Sequence, residues 1–255
     1  MKTKQTKFIA VTSQKGGVGK STLTVIIASY LYYELGYNLA VIDCDANQNS
    51  IWGMRKRDKE ENLIDEESQL RMKQYFSNLG KRSYKVIKST VPNAIAEAGK
   101  LITENKGEEY DFIFFDFPGT INTEGILFPL IHLDYIFIPI KADMMVLETS
   151  LVFARFLIDH VVADSTTRLK GVFVFWNMVD GRTSSAIYDV FDEYLAKEEI
   201  PMLKTYLPNQ VRYTREQAYF AGEPFRSTYF APSAKSIKGS NIDLLVAEML
   251  RFIQP

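Results

Sequence analysis

The segment Phe8-Ile-Ala-Val-Thr-Ser-Gln-Lys-Gly-Gly-Val-Gly-Lys-Ser-Thr22 decides the fold of this chain. Its apolar start predicts a strand, its glycines predict a turn, and the periodic apolar residues that continue to Leu35 predict a helix. In this order the N–H groups of the turn and the positive end of the helix converge on one point, which suits a polyphosphate. The segment therefore predicts a phosphate-binding loop after the first strand.

The residue types of this loop match the parts of a bound nucleotide. Its glycines let the backbone approach an anion closely. Lys20 would neutralise the β- and γ-phosphates, Ser21 would bind Mg²⁺ through its hydroxyl, and Thr22 would bond a further phosphate oxygen. A glycine turn before a helix can also be purely structural, but the full order of strand, turn, Lys-Ser and helix favours a nucleotide. The candidate binding residues are Lys15, Gly16, Gly17, Val18, Gly19, Lys20, Ser21 and Thr22.

Short apolar runs alternate with segments of helical period along the rest of the chain. The runs are 8–11, 39–42, 84–87, 112–115, 135–140, 171–175 and 202–206. Several of these runs show no alternation of apolar and polar residues. This is typical of strands that are buried on both faces of a parallel sheet with helical crossovers. We therefore predict a doubly wound α/β fold, with a mostly parallel sheet between two layers of helices.

No repeat and no Gly/Ser-rich or Pro-rich linker divides the chain, so we expect one domain over residues 1–255. The most polar stretch, 55–73, carries six basic and six acidic residues. We interpret it as a solvated helix within a polar insertion at about 55–80, rather than as a binding site.

Composition restricts the possible functions. The 255 residues are 46% hydrophobic, which is enough for a sizeable core. Thirty basic and 31 acidic residues give a net charge of -1, so binding to nucleic acid or anionic lipid would require a local patch. The single cysteine, Cys44, cannot form an internal disulfide, and neither a signal peptide nor about 18 consecutive apolar residues is present. We expect a cytoplasmic protein.

The loop departs from the standard G-x-x-x-x-G-K-[ST] pattern, because Gln14 stands where its first glycine should be. Instead, Lys15-Gly-Gly-Val-Gly-Lys-Ser21 resembles the deviant Walker A box of the ParA/MinD family of P-loop ATPases. The resemblance implies that Lys15 reaches across a dimer interface to the nucleotide of the other subunit. It thus implies a homodimer with ATP between the protomers, although a lysine by itself could equally be a solvated surface residue.

The segment Asp43-Cys-Asp45-Ala-Asn-Gln is similar to the switch I segment of that family, with Ala46 in place of the usual proline. Alternation along the strand end turns both carboxylates toward the carboxyl edge of the sheet. The resemblance implies that Asp45 orients the attacking water and that Asp43 supports the Mg²⁺ shell. The alternative for such a pair is a helix cap or a turn. By resemblance the catalytic residues are Lys15, Lys20 and Asp45.

A third segment, Tyr110-Asp-Phe-Ile-Phe-Phe-Asp116-Phe-Pro-Gly119, is a hydrophobic strand that ends in an acid. It is a Walker B candidate, in which Asp116 would hold Mg²⁺ through water and Gly119 would turn the chain past the γ-phosphate. The candidate metal residues are thus Ser21, Asp43 and Asp116. Residues 138–148 resemble the next strand and helix start of the family.

Recognition of the base is predicted by resemblance alone. Asn177 matches the asparagine at the end of the sixth strand that contacts adenine, and Pro208 and Asn209 match the loop over the other face of the base. An asparagine that only forms a turn is an equally good interpretation of Asn177.

The nucleotide site does not say what the protein moves. As in ParA proteins, the ATP state could bind DNA without sequence specificity, for partition of a plasmid, chromosome or conjugative element, at the nucleoid. Residues 204–238 carry a local charge of +4, which suits phosphate contacts but also suits ordinary surface charge. The candidate contacts are Arg212, Arg215, Arg226, Lys235 and Lys238.

Three other roles each require a sequence feature of their own. Positioning of a complex at a membrane, as by MinD, needs an amphipathic helix with basic flanks, whereas the last helix offers only Arg251 and better fits a packed core helix. An iron protein needs four thiolates, and a dimer of this chain supplies two. A tyrosine autokinase needs a tyrosine-rich tail, and none follows Tyr229. A purely regulatory ATPase stays possible.

The resemblance also implies slow ATP hydrolysis that a ParB-like or other partner protein stimulates. Because no segment for a helix-turn-helix precedes the phosphate-binding loop in this sequence, we expect recognition of a specific DNA site to fall to that partner.

Overall fold

The fold is built on a six-stranded parallel sheet. In this computed structural model of the chain, the structure describes residues 5–45, 51–104, 109–119, 123–182, 185–216 and 224–253. The spatial order of the strands is β3-β2-β4-β1-β5-β6. Their bounds are β1 Lys7–Val11, β2 Leu39–Asp43, β3 Lys85–Lys88, β4 Phe112–Asp116, β5 Tyr135–Ile140 and β6 Gly171–Trp176. The predicted doubly wound α/β class is confirmed.

Nine α-helices connect or flank these strands in the described ranges. Turns of π-helix extend two of them, at Tyr30–Glu34 and Ile158–Val162. The helices are α1 Lys20–Ser29, α2 Ile51–Glu61, α3 Glu66–Leu79, α4 Ala94–Glu104, α5 Thr123–Leu130, α6 Met144–Leu157, α7 Ser185–Lys197, α8 Ala234–Ile237 and α9 Ile242–Ile253.

Both faces of the sheet are covered, which explains why its strands read as unbroken apolar runs. On one face the core includes side chains of α4, α5, α6 and α7. On the other face it includes side chains of α1, α2 and α9. The apolar face of α9 is buried at Ile242, Leu245, Val246, Met249 and Ile253, as expected for a core helix.

The first strand lies in the middle of the sheet, between β4 and β5. The chain moves to one side of β1 to form β2, β3 and β4, and then to the other side to form β5 and β6. In open parallel sheets, ligands bind at the carboxyl ends of the strands near such a reversal. The predicted phosphate-binding loop follows β1 at this place, and Asp43 and Asp116 are register partners at the ends of β2 and β4.

The prediction of a seventh strand at 202–206 is wrong. In this part of the chain the structure shows isolated bridges only, Met202 to Val174 and Pro208 to Val179. The segment follows the edge of β6 through a few backbone hydrogen bonds, including the N–H of Leu203 to the Val174 carbonyl at 2.9 Å. Its apolar side chains are buried by this loop, and a short apolar run does not distinguish a buried loop from a strand.

The polar stretch lies in two helices, α2 and α3. The sequence predicts one solvated helix there, and only α3 fits that prediction. No described residue of α3 is buried. In contrast, Asp58 of α2 is 2% exposed and accepts hydrogen bonds from the N–H and the hydroxyl of Thr228, both at 2.7 Å. Arg55 donates to the Tyr84 carbonyl at 2.7 Å. The partners of these charges lie far away in sequence, so the charges alone gave no sign that α2 is docked.

Among the described residues, no helix combines the length and the apolar character that crossing a membrane requires.

Candidate nucleotide-binding site

The loop after β1 forms an open cradle that ends where α1 begins, at Lys20. Gly17 and Gly19 have φ values of 73° and 83°, in the left-handed region that favours glycine. A Cβ atom on Gly19 would also lie 3.0 Å from the Asn177 Nδ2 atom. The first N–H groups of a helix have no partner within the helix, so the start of α1 is suited to an anion.

Lys20 lies at the centre of the site. Its side chain is buried, and its ammonium donates to the Lys15 carbonyl at 3.0 Å. Burial lowers the pKa of Lys20, while the carboxylates of Asp116 and Asp45 oppose this shift. The ammonium is therefore held between the phosphate-binding loop and the acidic ends of β2 and β4.

The loop after β4 packs directly on the cradle. A Cβ atom on Gly119 would lie 2.6 Å from the Lys20 Nζ atom, 3.1 Å from the Gly16 nitrogen and 3.2 Å from the Gly16 Cα atom. Such distances leave no room for a side chain at position 119. The structure thus brings the Walker B candidate segment into contact with the predicted phosphate-binding loop.

Asp43 and Asp45 have different environments. The Asp43 carboxylate accepts the N–H of Asp45 at 3.1 Å and the N–H groups of Ile51 and Trp52 at 3.1 and 2.8 Å. It therefore caps the start of α2, which is the helix-cap alternative for this residue. Burial raises the pKa of Asp43, although these backbone bonds oppose the rise. The sequence predicted that both carboxylates face the carboxyl edge of the sheet; in the structure the Asp45 carboxylate lies near Lys20.

The residues suggested for Mg²⁺ meet at one edge of the sheet. Asp116 is fully buried and lies near Lys20. Ser21 is partly buried in the first turn of α1. The described residues contain no group of three or more His, Cys, Asp or Glu side chains that could hold a metal by themselves. Mg²⁺ on a nucleotide needs only one or two protein oxygens beside phosphates and water, so this donor set fits it.

The three residues suggested for the base come together next to the cradle. Asn177 is buried and donates from Nδ2 to the Val18 carbonyl at 2.9 Å. Asn177, Pro208 and Asn209 line a cavity of about 110 Å³ that Gly19 and Thr22 also line. Sequence reasoning missed the remaining lining residues, which carry no motif; they are Leu23, Met178, Gln210, Tyr213 and Thr214.

The five basic residues suggested for DNA fall into two groups. Arg212 donates to the carbonyls of Ser236 and Lys238 at 2.6 and 2.9 Å, and Arg226 is bonded to Thr22 and Glu216. These two guanidinium groups are hydrogen-bonded within the fold. The other three, Arg215, Lys235 and Lys238, are exposed.

A broad groove of about 690 Å³ lies beside the base cavity and shares Gln210 with it. Arg215 and Lys235 line this groove, and Arg212 forms part of its wall. The structure thus brings together three of the five suggested residues from segments that are some twenty positions apart in sequence.

Comparison with known proteins gives one family. The model of the CobQ/CobB/MinD/ParA nucleotide binding domain matches residues 9–220. The sporulation initiation inhibitor protein Soj of Bacillus subtilis is 28% identical over 238 residues, which cover 86% of this chain and 89% of that protein.

Two solved structures are similar over nearly the whole chain. A putative plasmid partition protein from Borrelia burgdorferi, bound to AMPPNP, superposes with a TM-score of 0.58 at 20% identity and covers 95% of this chain and 98% of its own. The MinD cell division protein of Aquifex aeolicus gives 0.57 at 18% identity, with 98% and 97% covered. At these identities the two structures establish the fold.

Proposed function

The chain belongs to the CobQ/CobB/MinD/ParA nucleotide-binding family, and from this premise we propose that it binds ATP with Mg²⁺, dimerises around the nucleotide and hydrolyses it. The dimer would control the partition or positioning of DNA.

The observation that carries the nucleotide assignment is the placement of Lys20. Its buried ammonium lies where the glycine cradle meets the Gly119 loop, and its pKa is lowered by burial. A polyphosphate at this place would supply negative charge next to the buried ammonium. A charge-assisted hydrogen bond in a buried place is stronger than one in water. The cradle glycines supply backbone N–H donors to the same anion.

The acidic residues have separate roles in this proposal. Asp45 would orient the attacking water, since it lies near Lys20 and its carboxylate is not the one that caps α2. Asp116 and the Ser21 hydroxyl would hold Mg²⁺, and Asp43, which accepts the first N–H groups of α2, would support them. The metal, when bound, neutralises charge that develops on the phosphates.

Adenine would enter the cavity beside Asn177. The Asn177 amide donates to the Val18 carbonyl, and its side-chain oxygen would accept an N–H group of the base. Pro208 and Asn209 would cover the ring. The backbone of this loop is fixed by the N–H of Asn209, which donates to the Val179 carbonyl at 2.8 Å.

Lys15 would complete the site of a second copy. Its backbone is held on both sides, because its N–H donates to the Ser13 hydroxyl at 3.3 Å and its carbonyl accepts from Lys20. The side chain is partly exposed at the open end of the cradle. This is the position from which a lysine could reach a nucleotide on a facing protomer.

DNA would bind along the groove of Arg215 and Lys235, which lies next to the nucleotide cavity. This proximity would let nucleotide occupancy influence the groove. Positioning at a membrane through α9 is less well supported, because the apolar face of α9 is already packed in the core.

A mobility-shift assay with ATP, ADP and no nucleotide tests the proposal, together with liposome flotation under the same conditions. We expect a DNA shift with ATP alone, which weakens steeply as salt increases. Flotation with ATP and no DNA shift would replace DNA with a membrane as the partner. A protein that binds no nucleotide would end the proposal altogether.

A further inference from the structure

Arg226 links the nucleotide cradle to a buried carboxylate. Its Nη1 atom donates to the Thr22 hydroxyl at 2.6 Å, and its Nη2 atom donates to Glu216. Thr22 is in the first turn of α1, whereas Arg226 is 204 positions away in sequence. The contact therefore joins the loop after β1 to the C-terminal part of the fold.

Glu216 holds the arginine in place. This residue is 7% exposed, and its second oxygen accepts from Arg57 of α2 at 3.2 Å. The side chain of Arg226 is itself only 18% exposed. One carboxylate shared by two guanidinium groups leaves a net positive charge beside the cradle. An anion there would balance that charge.

The position of Thr22 indicates which part of a nucleotide this group would meet. Thr22 lines the base cavity together with Asn177 and Pro208, so it lies at the base end of the cradle. The phosphate that would sit there is the one bonded to the ribose, which ATP and ADP share.

The hydrogen bond from Arg226 also sets the direction of the Thr22 proton. A hydroxyl has one proton to donate and two lone pairs that accept. Because Arg226 occupies a lone pair, the proton is turned toward another acceptor. The Nε–H group of Arg226 is also buried and has no hydrogen-bond partner within the described ranges, although buried donors are rarely left unsatisfied.

We propose that Arg226, held by Glu216, is a positioning residue for the nucleotide: it aligns the Thr22 hydroxyl on the phosphate next to the ribose. The inference rests on the proposed nucleotide site and assigns to it a residue that no sequence motif marks. It also removes Arg226 from the candidates for DNA contact.

Calorimetric titration of the full chain with ATP, ADP and adenosine, in the presence of Mg²⁺, tests this role. Arg226→Gln should weaken ATP and ADP equally, by about 10-fold, which corresponds to one hydrogen bond. Adenosine lacks the phosphate, so its affinity should not change. Arg226→Lys keeps the charge and should recover part of the loss. Arg251→Gln removes an exposed arginine from α9 and serves as the matched control.

A double-mutant cycle separates alignment from simple support of the fold. If Arg226 acts through Thr22, the variant Thr22→Val/Arg226→Gln should bind ADP no more weakly than the weaker single variant. Additive losses would overturn the inference. So would an Arg226→Gln protein that melts earlier but binds ADP as the wild type does.

ATP binding by the wild-type protein separates the role of Arg226 from the proposed nucleotide-binding function. Wild-type protein that binds ATP, beside an Arg226→Gln protein with equal affinity, defeats only the role of Arg226. Wild-type protein that binds neither ATP nor ADP defeats the proposed function and this inference together.

Discussion

Gly119 approaches Lys20 so closely that a Cβ atom built on it would lie 2.6 Å from the lysine Nζ atom. Lys20 begins α1 after the loop that follows β1, and Gly119 lies in the loop that follows the adjacent strand β4. The contact means that whatever binds Lys20 also meets the loop after β4. It provides a physical link between ligand binding and the segment that follows the Walker B candidate strand.

Gly119→Ala should therefore disturb the site directly. The lysine end can move, but the Gly16 backbone at 3.1 Å cannot move without deforming the cradle. We expect ATP affinity to fall by about 10-fold and the free energy of unfolding to fall by about 1 to 3 kcal/mol. Calorimetric titration and urea unfolding measure the two effects.

Gly99→Ala in α4 is the matched control, since nothing lies within 4 Å of its added Cβ. That change should raise the free energy of unfolding by about 0.5 to 1 kcal/mol and leave ATP affinity unchanged. Equal behaviour of the two alanine variants would contradict the close packing at position 119.

Lys20→Met should abolish ATP binding without lowering the stability of the unliganded protein. The folded-state pKa of Lys20 lies below its ordinary value of 10.5 because the ammonium is buried. The protonated side chain thus destabilises the fold at neutral pH, and this penalty disappears as pH rises through the folded pKa toward 10.5.

Chemical unfolding of both proteins over a pH series measures this effect. The stability advantage of Lys20→Met over the wild type should be greatest near neutral pH and shrink as the solution becomes alkaline. A Lys20→Met protein that still gains thermal stability from ATP would remove Lys20 from the site.

Asp45→Ala should stop hydrolysis but not folding. If Asp45 orients the attacking water, turnover should drop by at least about 100-fold and the ATP-bound dimer should accumulate. Phosphate release and light scattering measure the two quantities. Turnover at the wild-type rate would contradict the assignment.

Asp43→Ala should reduce folding stability more than Asp45→Ala does, because Asp43 accepts backbone N–H groups at the start of α2. Loss of this cap should reduce the free energy of unfolding by about 0.5 to 2 kcal/mol. The unfolding of Asp45→Ala under the same conditions is the reference. If Asp45→Ala were destabilised as much, the two aspartates would not differ as their contacts indicate.

Lys15→Ala should bind ATP yet fail to dimerise. A charge-assisted bond across the interface contributes about 1.5 to 3 kcal/mol, so dimer affinity should fall roughly 10- to 100-fold. Light scattering with ATP gives the dimer fraction. Lys100→Ala removes an exposed lysine on α4 and is the control. An unchanged dimer fraction would rule out a lysine that acts in trans.

Arg215→Gln and Lys235→Gln should each weaken DNA binding in the ATP state. If each side chain contacts one phosphate, each change should reduce the slope of log affinity against log salt by about 1. Arg251→Gln should leave the slope unchanged. Arg212→Gln should instead lower stability, because Arg212 donates to two backbone carbonyls. Unchanged slopes for Arg215→Gln and Lys235→Gln would exclude the groove.

The sequence alone determined the parallel α/β fold and predicted a phosphate-binding loop. Both depend on local patterns: an unbroken apolar run marks a strand buried on both faces, and Lys15-Gly-Gly-Val-Gly-Lys-Ser21 places its donors within one turn of chain. The sequence also predicted that Asp43 and Asp45 lie at the carboxyl edge of the sheet, because ligands of open parallel sheets bind at that edge, whereas Asn177 was predicted by resemblance alone.

Only the tertiary structure showed which charged side chains form hydrogen bonds inside the fold. Arg226 and Glu216 resemble surface residues in sequence, as do Arg55 and Asp58, yet each is hydrogen-bonded to a residue far away in the chain. The electrostatic environment of a charged side chain is set by groups that folding brings near it from distant parts of the chain. No local pattern in the sequence records those neighbours, so the roles of these charges emerged only when the chain was folded.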